Sequence, residues 1–238
     1  MTKALYRDAY LRDCTATVTG INERGGVVLD QSVFYPTGGG QPGDTGVLEW
    51  EGGQTAIALA VKGEAPGEVV HVPAEGASPP PVGASVTARL DWETRHRHMR
   101  VHTALHLLSV VIPLPVTGGS ISAAKGRLDF DMPEAPQDKD ALEARLNELI
   151  AADYPVSDEW ITDQDLAANP GLVKTMAVQP PMGQGRVRLV RIGLGDDTID
   201  LQPCGGTHVR STAEIGPVRF GKIEKKGRQN RRVSILID

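Results

Sequence analysis

The sequence predicts an α+β protein: a small N-terminal β-barrel followed by an α+β domain whose antiparallel sheet packs on helices. Three observations predict this class. Up to residue 91, short apolar or alternating runs are separated by turns rich in Gly, Pro and Asp. From Trp92, apolar residues and histidines recur every three or four positions, the period of a helix. Beyond that helix, strand-like and helix-like segments are mixed.

In chain order, CTATVTGI, GGVVLD, TGVLEW, TAIALAV, EVVHV and SVTARLDW read as the strands of a small barrel or sandwich. PAEGASPPPVGA, with Pro79, Pro80 and Pro81 in succession, reads as a long loop between two of them, because proline removes backbone donors and favours extended conformers. The domain boundary is expected near Asp91, giving domains 1–91 and 92–238. Met99, His102, His106 and Val110 then share one helix face, with Asp91 as the cap and a stop before Pro113. VTGGSIS and RLDFDM read as a strand pair, ALEARLNELIAADY as an amphipathic helix, and RVRLVRI, PVRFGKIEK and RRVSILID as later strands.

Composition narrows the function classes. Of the 238 residues, 40% are hydrophobic and 23% charged, the balance of a soluble globular chain. A net charge of −5 argues against indiscriminate coating of nucleic acid, and 4% aromatics argues against recognition of single strands by stacking. Contacts with nucleic acid are therefore expected to be to phosphates. No apolar run reaches membrane-spanning length, and no h-region follows the first lysine, so a cytoplasmic protein without a membrane partner is expected. With only Cys14 and Cys204, both thiols are expected to be reduced, Cys14 as a small buried residue in a strand. His71 is expected as a strand residue, and His96 and His98, flanked by arginines, as surface residues.

Four residues carry the chemistry. His102 and His106 in HTALH lie i, i+4 on one helix face, and Cys204 and His208 in CGGTH can complete a tetrahedron. Imidazole and thiolate donors suit Zn²⁺ better than Mg²⁺ or Ca²⁺. The zincin protease motif is excluded because Thr103 stands where its glutamate belongs, and the base-deaminase motif because the PCxxC element is absent. The segment Gly38, Gly39, Gly40, Gln41 within TGGGQPGD lacks the Lys and Ser/Thr of a phosphate-binding loop, so no nucleotide cofactor is expected. Arg95, Arg97 and Arg100 precede HTALH, and Lys222, Lys225, Lys226, Arg228, Arg231 and Arg232 follow CGGTH, placing cations beside both metal motifs. In an acidic chain, such a confined strip would guide a phosphate backbone. No Ser/His/Asp arrangement or carboxylate pair stands out by spacing, so no catalytic residue is assigned beyond the metal site.

FYPTGGGQPGD, HTALHLL, CGGTHV and AEIGPVRFGKIE, in that order and across nearly the whole chain, resemble the editing domain of alanyl-tRNA synthetase and its free-standing relatives, the AlaX trans-editing proteins. The editing domain of threonyl-tRNA synthetase shares the two metal motifs, but the glycine-rich segment favours the alanine branch. The resemblance implies a zinc-dependent hydrolase of mischarged alanine tRNA, chiefly seryl-tRNA(Ala), in a medium-length chain expected as a monomer or weak dimer. It also implies that Thr117 reads the serine hydroxyl and that Gly38, Gly39, Gly40 and Gln41 border the editing pocket. Four protein ligands fill a tetrahedral zinc. Either one ligand is displaceable, or the metal positions the tRNA terminus while protein groups activate water. Two alternatives stay open: a non-catalytic RNA-binding module with a structural zinc, and a deacylase for another mischarged tRNA such as seryl-tRNA(Thr).

Overall fold

The computed structural model describes residues 1–175 and 185–238. The chain divides into two compact units, Met1–His96 and Arg97–Asp238. Among the described residues, no helix is long and apolar enough to cross a membrane.

The first unit contains β1 (Lys3–Ala4), β2 (Asp13–Ile21), β3 (Val27–Leu29), β4 (Gln31–Ser32), β5 (Gly46–Trp50), β6 (Gly53–Lys62), β7 (Val69–Pro73) and β8 (Ser85–Leu90). The six runs read from the sequence close into a barrel in the order β2-β3-β7-β6-β5-β8, while β1 and β4 form a short parallel pair. Closure comes from β8 pairing antiparallel with both β2 and β5, which leaves no free edge. Alternation sends Val18, Leu29, Leu48, Ala60, Val86 and Ala88 inward, with Phe34 completing the filling. In β6 the register shifts between Ile57 and Leu59, so the inward set passes from Thr55 and Ile57 to Ala60. The triple-proline stretch lies between β7 and β8, as expected. Cys14 is half-buried against the barrel core.

Helix α1 (Trp92–Val111) begins where the helical period begins. Asp91 caps it by accepting from the Thr94 N–H (3.2 Å) and hydroxyl (2.7 Å). Its first turn holds Arg95, which departs from the expectation of a cation available to phosphate. Arg95 is fully buried and ion-paired with Asp44; its Nε lies 2.9 Å from Asp44 Oδ1, and its terminal nitrogens donate to Ala9 O (2.9 Å) and Val33 O (2.7 Å). A buried guanidinium is tolerable only when its donors are met, and a carboxylate plus two carbonyls meet them. Asp44 also accepts from the Tyr35 N–H (2.5 Å), so the pair fixes the end of the glycine-rich segment. His96 is half-buried and stacked on Trp92, with ring centroids 5.3 Å apart.

The second unit contains β9 (Val116–Ile121), β10 (Lys125–Asp131), α2 (Lys139–Ala151), β11 (Val156–Thr162), α3 (Asp163–Ala168), β12 (Arg186–Ile192), β13 (Asp200–Pro203), β14 (Val218–Lys225) and β15 (Asn230–Ile237). A four-stranded antiparallel sheet runs β14-β15-β10-β9, and a three-stranded one runs β11-β12-β13. The larger sheet packs on α1 and α2, as the sequence predicts. A Cβ at Gly126 of β10 would lie 2.6 Å from Val101 of α1, so glycine lets helix and strand touch. Helix α2 is capped by Asp138 and tied to β14 by Asn147, which donates to Val218 O (2.8 Å) and accepts from Val218 N (2.9 Å). His98 departs from the surface expectation: it is buried in α1.

His71 of β7 is buried inside the barrel. Its Nδ1 faces Val27 O at 3.0 Å and its Nε2 faces Ser32 Oγ at 2.7 Å, while Ser32 Oγ accepts from the Phe34 N–H at 3.0 Å. The ring therefore donates through Nδ1 and accepts the serine hydroxyl through Nε2, the neutral tautomer. Burial lowers its pKa to about 4 from 6.5, with the Val27 carbonyl opposing weakly. Between those values the unfolded chain binds a proton that the folded chain refuses, so stability is full above pH 6.5 and declines as pH falls toward 4. The loss amounts to about 3 kcal/mol. Denaturation of the full chain from pH 7.5 to 4 is predicted to show this loss in the wild type and not in His71→Gln; parallel curves would contradict it.

Candidate metal centre

The second unit brings together all four residues read as metal ligands. His102 and His106 project from one face of α1, with ring centroids 5.3 Å apart, and His208 lies against both at 4.3 and 4.6 Å. Cys204 Sγ is 3.4 Å from His102 Nε2 and 3.3 Å from His208 Nε2, and one donor atom from each of the four lies within 4.8 Å of the others. A tetrahedral zinc with bonds of about 2.0–2.1 Å to nitrogen and 2.3 Å to sulfur needs donor separations of about 3.3–3.6 Å. These two sulfur–nitrogen separations lie at that scale, and with all four donor atoms within 4.8 Å of one another the group could hold a metal ion.

Neighbouring side chains decide which nitrogen His106 and His208 offer. Thr103, between the two helix histidines, gives its hydroxyl hydrogen to Met99 O (2.9 Å) and accepts from the Val209 N–H (3.3 Å). Its oxygen lies 3.1 Å from His208 Nδ1, so that nitrogen carries the hydrogen and Nε2 is left with a lone pair for the metal. His106 is oriented the same way: Nδ1 lies 3.0 Å from Asp200 Oδ2. Asp200 is in turn held by Lys174 Nζ (2.5 Å) and by the Gln202 amide (2.7 Å). The thiolate end is shaped by Arg188 of β12, whose guanidinium donates to Cys204 O (3.0 Å) and Gly206 O (2.7 Å) and clamps the CGGTH turn against its own strand.

The electrostatics suit a cation site. Burial opposes a thiolate at Cys204, but the facing imidazoles of His102 and His208 outweigh it and hold the thiol well below its usual range. Burial also opposes a charge on His106, yet Asp200 and Cys204 prevail and raise its pKa to about 9. Burial would raise Asp200; His106 and Lys174 instead lower it to about 2. For His208, burial and the charge of His102 together push the pKa well below the usual range, against the pull of Cys204. A proton on His106 thus occupies part of the space of a metal, and metal affinity should rise with pH up to about 9 as that competitor leaves.

The other residues named from sequence have the following local surroundings. Thr117 is a half-buried residue of β9; its hydroxyl donates to Asp129 O (3.1 Å) and accepts from Asn230 Nδ2 (2.6 Å). Gly38 to Gln41 form a two-residue turn closed by reciprocal backbone bonds of 3.1 and 3.0 Å, with Gly39 and Gly40 at φ of 58° and 81°, and Gln41 is buried. Lys222, Lys225 and Arg228 are exposed on and beyond β14. Lys226 pairs with Glu224 (3.1 Å), Arg231 donates to Pro133 O (2.6 Å), and Arg232 holds Asp129 (2.8 Å). Arg100 donates to Ile215 O (2.9 Å), whereas Arg97 is exposed. Sequence reasoning missed Thr103 as an orienting group, and also Asp200, Lys174, Gln202 and Arg188. Only Asp200 and Gln202 stood near enough to CGGTH to have drawn notice.

The histidine pair on a helix, the Cys-x-x-x-His turn and the unit of sheet on helices agree with the resemblance to the editing domains of tRNA synthetases. Residues 187–234 match the family described as the threonyl and alanyl tRNA synthetase second additional domain, and residues 5–94 match the class II (A) tRNA synthetases. Over 98% of its length the chain is 34% identical to an alanyl-tRNA editing protein AlaX-M of Methanosarcina mazei, of which it covers 95%. It is 33% identical to the AlaX-M protein of Saccharolobus solfataricus over 98% of both chains, and 35% identical to the alanine–tRNA ligase of Pyrobaculum neutrophilum over 92% of this chain but 25% of the ligase. The chain belongs to the AlaX family of alanyl-tRNA editing proteins.

Removing an orienting partner should weaken metal binding while the ligands remain. Thr103→Val and Asp200→Asn are each predicted to lower metal affinity by about 10–100-fold. Competition against a chromogenic chelator measures this; unchanged affinity in both variants would contradict the assigned roles.

Proposed function

We propose that this chain is a trans-editing aminoacyl-tRNA deacylase that hydrolyses mischarged alanine tRNA, chiefly seryl-tRNA(Ala), at a Zn²⁺ centre. The observation that carries this reading is the assembled set of three imidazoles and one thiolate, in a chain similar over its whole length to alanyl-tRNA editing proteins. Nitrogen and sulfur donors favour zinc over the hard divalent cations. When bound, zinc supplies a Lewis acid that can orient and polarise the ester.

The chain's own residues supply the rest. Asp200 and Thr103 keep the ring nitrogens of His106 and His208 directed at the metal. Thr117 is the proposed selector. A serine hydroxyl can donate to the lone pair that Asp129 O and Asn230 leave open, while alanine cannot, which can discriminate between the two esters. Lys222, Lys225 and Arg228 are the cations best placed by exposure to take tRNA phosphates. Lys226, Arg231 and Arg232 would have to exchange Glu224, Pro133 O and Asp129 for phosphate. The turn from Gly38 to Gln41 is proposed as a contact for the tRNA terminus.

The closed set of four protein ligands favours a second reading, a non-catalytic tRNA-binding module with a structural zinc. One panel separates the two. Zinc-loaded protein is predicted to deacylate seryl-tRNA(Ala) at least about 100-fold faster than alanyl-tRNA(Ala). Activity should vanish with a chelator and return with zinc, and Thr117→Val should erode the preference at unchanged zinc content. A structural zinc instead predicts tRNA binding without serine-ester hydrolysis, and hydrolysis that survives zinc removal would contradict the metal-centred account.

A further inference from the structure

We propose that Asn230 is a specificity-positioning residue: with the hydroxyl hydrogen of Thr117 already given to Asp129 O, Asn230 fills one lone pair and fixes the direction of the other, so that the site selects aminoacyl esters whose side chain donates a hydrogen bond. This inference rests on the reading of Thr117 as the selector and deepens it by naming the substrate class and the residue that imposes it.

A threonine hydroxyl has one hydrogen and two lone pairs, so by itself it reads donors and acceptors alike. Here its freedom is removed. The register of β9 against β10 shifts between Asp129 and Phe130, and this irregularity turns Asp129 O toward Thr117, whose hydroxyl hydrogen it accepts at 3.1 Å. Asp129 is itself held in place by Arg232 at 2.8 Å and Arg127 at 2.6 Å. With the hydrogen committed, the group 2.6 Å away on Asn230 must be the amide nitrogen, donating into one lone pair. One lone pair is left, and only a donor can meet it. A serine hydroxyl donates; a methyl group does not.

Asn230 is held for this task at the start of β15, opposite Asp131 of β10. Among the described residues, its buried Oδ1 has no hydrogen-bond partner. Gly118, next along β9, presents no side chain. A Cβ there would meet only Asp129 Oδ2 at 3.6 Å, so the strand beside the hydroxyl is open to a small ligand group.

The test uses zinc-loaded full chain and alanine tRNA charged with serine, with alanine, or with 2-aminobutyrate, whose side chain has the shape of serine's with a methyl in place of the hydroxyl. Asn230→Asp keeps the shape and removes the donor; Asn230→Leu removes both polar atoms. Each is expected to lower kcat/KM for the seryl ester by about 10–100-fold while changing the alanyl and 2-aminobutyryl rates by less than about threefold, at unchanged zinc content. A uniform loss on all three esters, or no loss in Asn230→Asp, would overturn the proposal. Thr117→Val distinguishes the levels. If it abolishes serine preference while the Asn230 variants retain it, only the positioning role fails; if it leaves the preference intact, the selector reading fails with it.

Discussion

Every property of the metal centre depends on one turn of α1, from His102 to His106. The helical repeat puts the two imidazoles on one face, and the residue between them, Thr103, does what a ligand cannot do for itself. Its hydroxyl returns its hydrogen to the helix at Met99 O and offers both lone pairs to the other ligand segment, at His208 Nδ1 and Val209 N. A single side chain thereby joins the helix that carries two of the candidate ligands to the turn that carries the other two. The same residue excludes the protease chemistry that a glutamate at this position would bring.

Around that turn, charge is arranged before any metal arrives. Asp200 lies between His106 and Lys174, and the thiolate of Cys204 lies among imidazoles. Gathering a thiolate, a carboxylate and three imidazoles in a buried space is unfavourable for folding unless a cation joins them. The unit answers locally with the Arg188 clamp, which satisfies the carbonyls of the CGGTH turn. The first unit solves a comparable problem at Asp44 and Arg95, where a buried ion pair supported by the Ala9 and Val33 carbonyls anchors the glycine-rich segment. Polar groups in both units thus serve to hold particular backbone segments in place.

Much of this was legible in the sequence because its signals are local. The six barrel strands announced themselves by alternation, α1 by its period and by Asp91, and the four ligands by spacing alone. What was not legible depends on contacts between distant residues. The barrel order β2-β3-β7-β6-β5-β8 is set by pairings that no short window contains. β11 escaped notice because VSDEWIT carries Asp and Glu on a largely exposed strand, so its alternation is faint. β13 is only four residues long. Arg95 and His98 were misjudged for a related reason. Both sit in a run of arginines and histidines that reads as a solvated face, and only the position of Asp44, some fifty residues earlier, tells that Arg95 points inward.

Three histidines and one cysteine are placed where one metal ion could join them. X-ray absorption at the zinc edge of the protein loaded with one equivalent of zinc tests it most directly. The account predicts one sulfur at about 2.3 Å and three nitrogens at about 2.0–2.1 Å, with the sulfur lost in Cys204→Ser. A shell of oxygen and nitrogen alone, or one unaltered by removing Cys204, would contradict it.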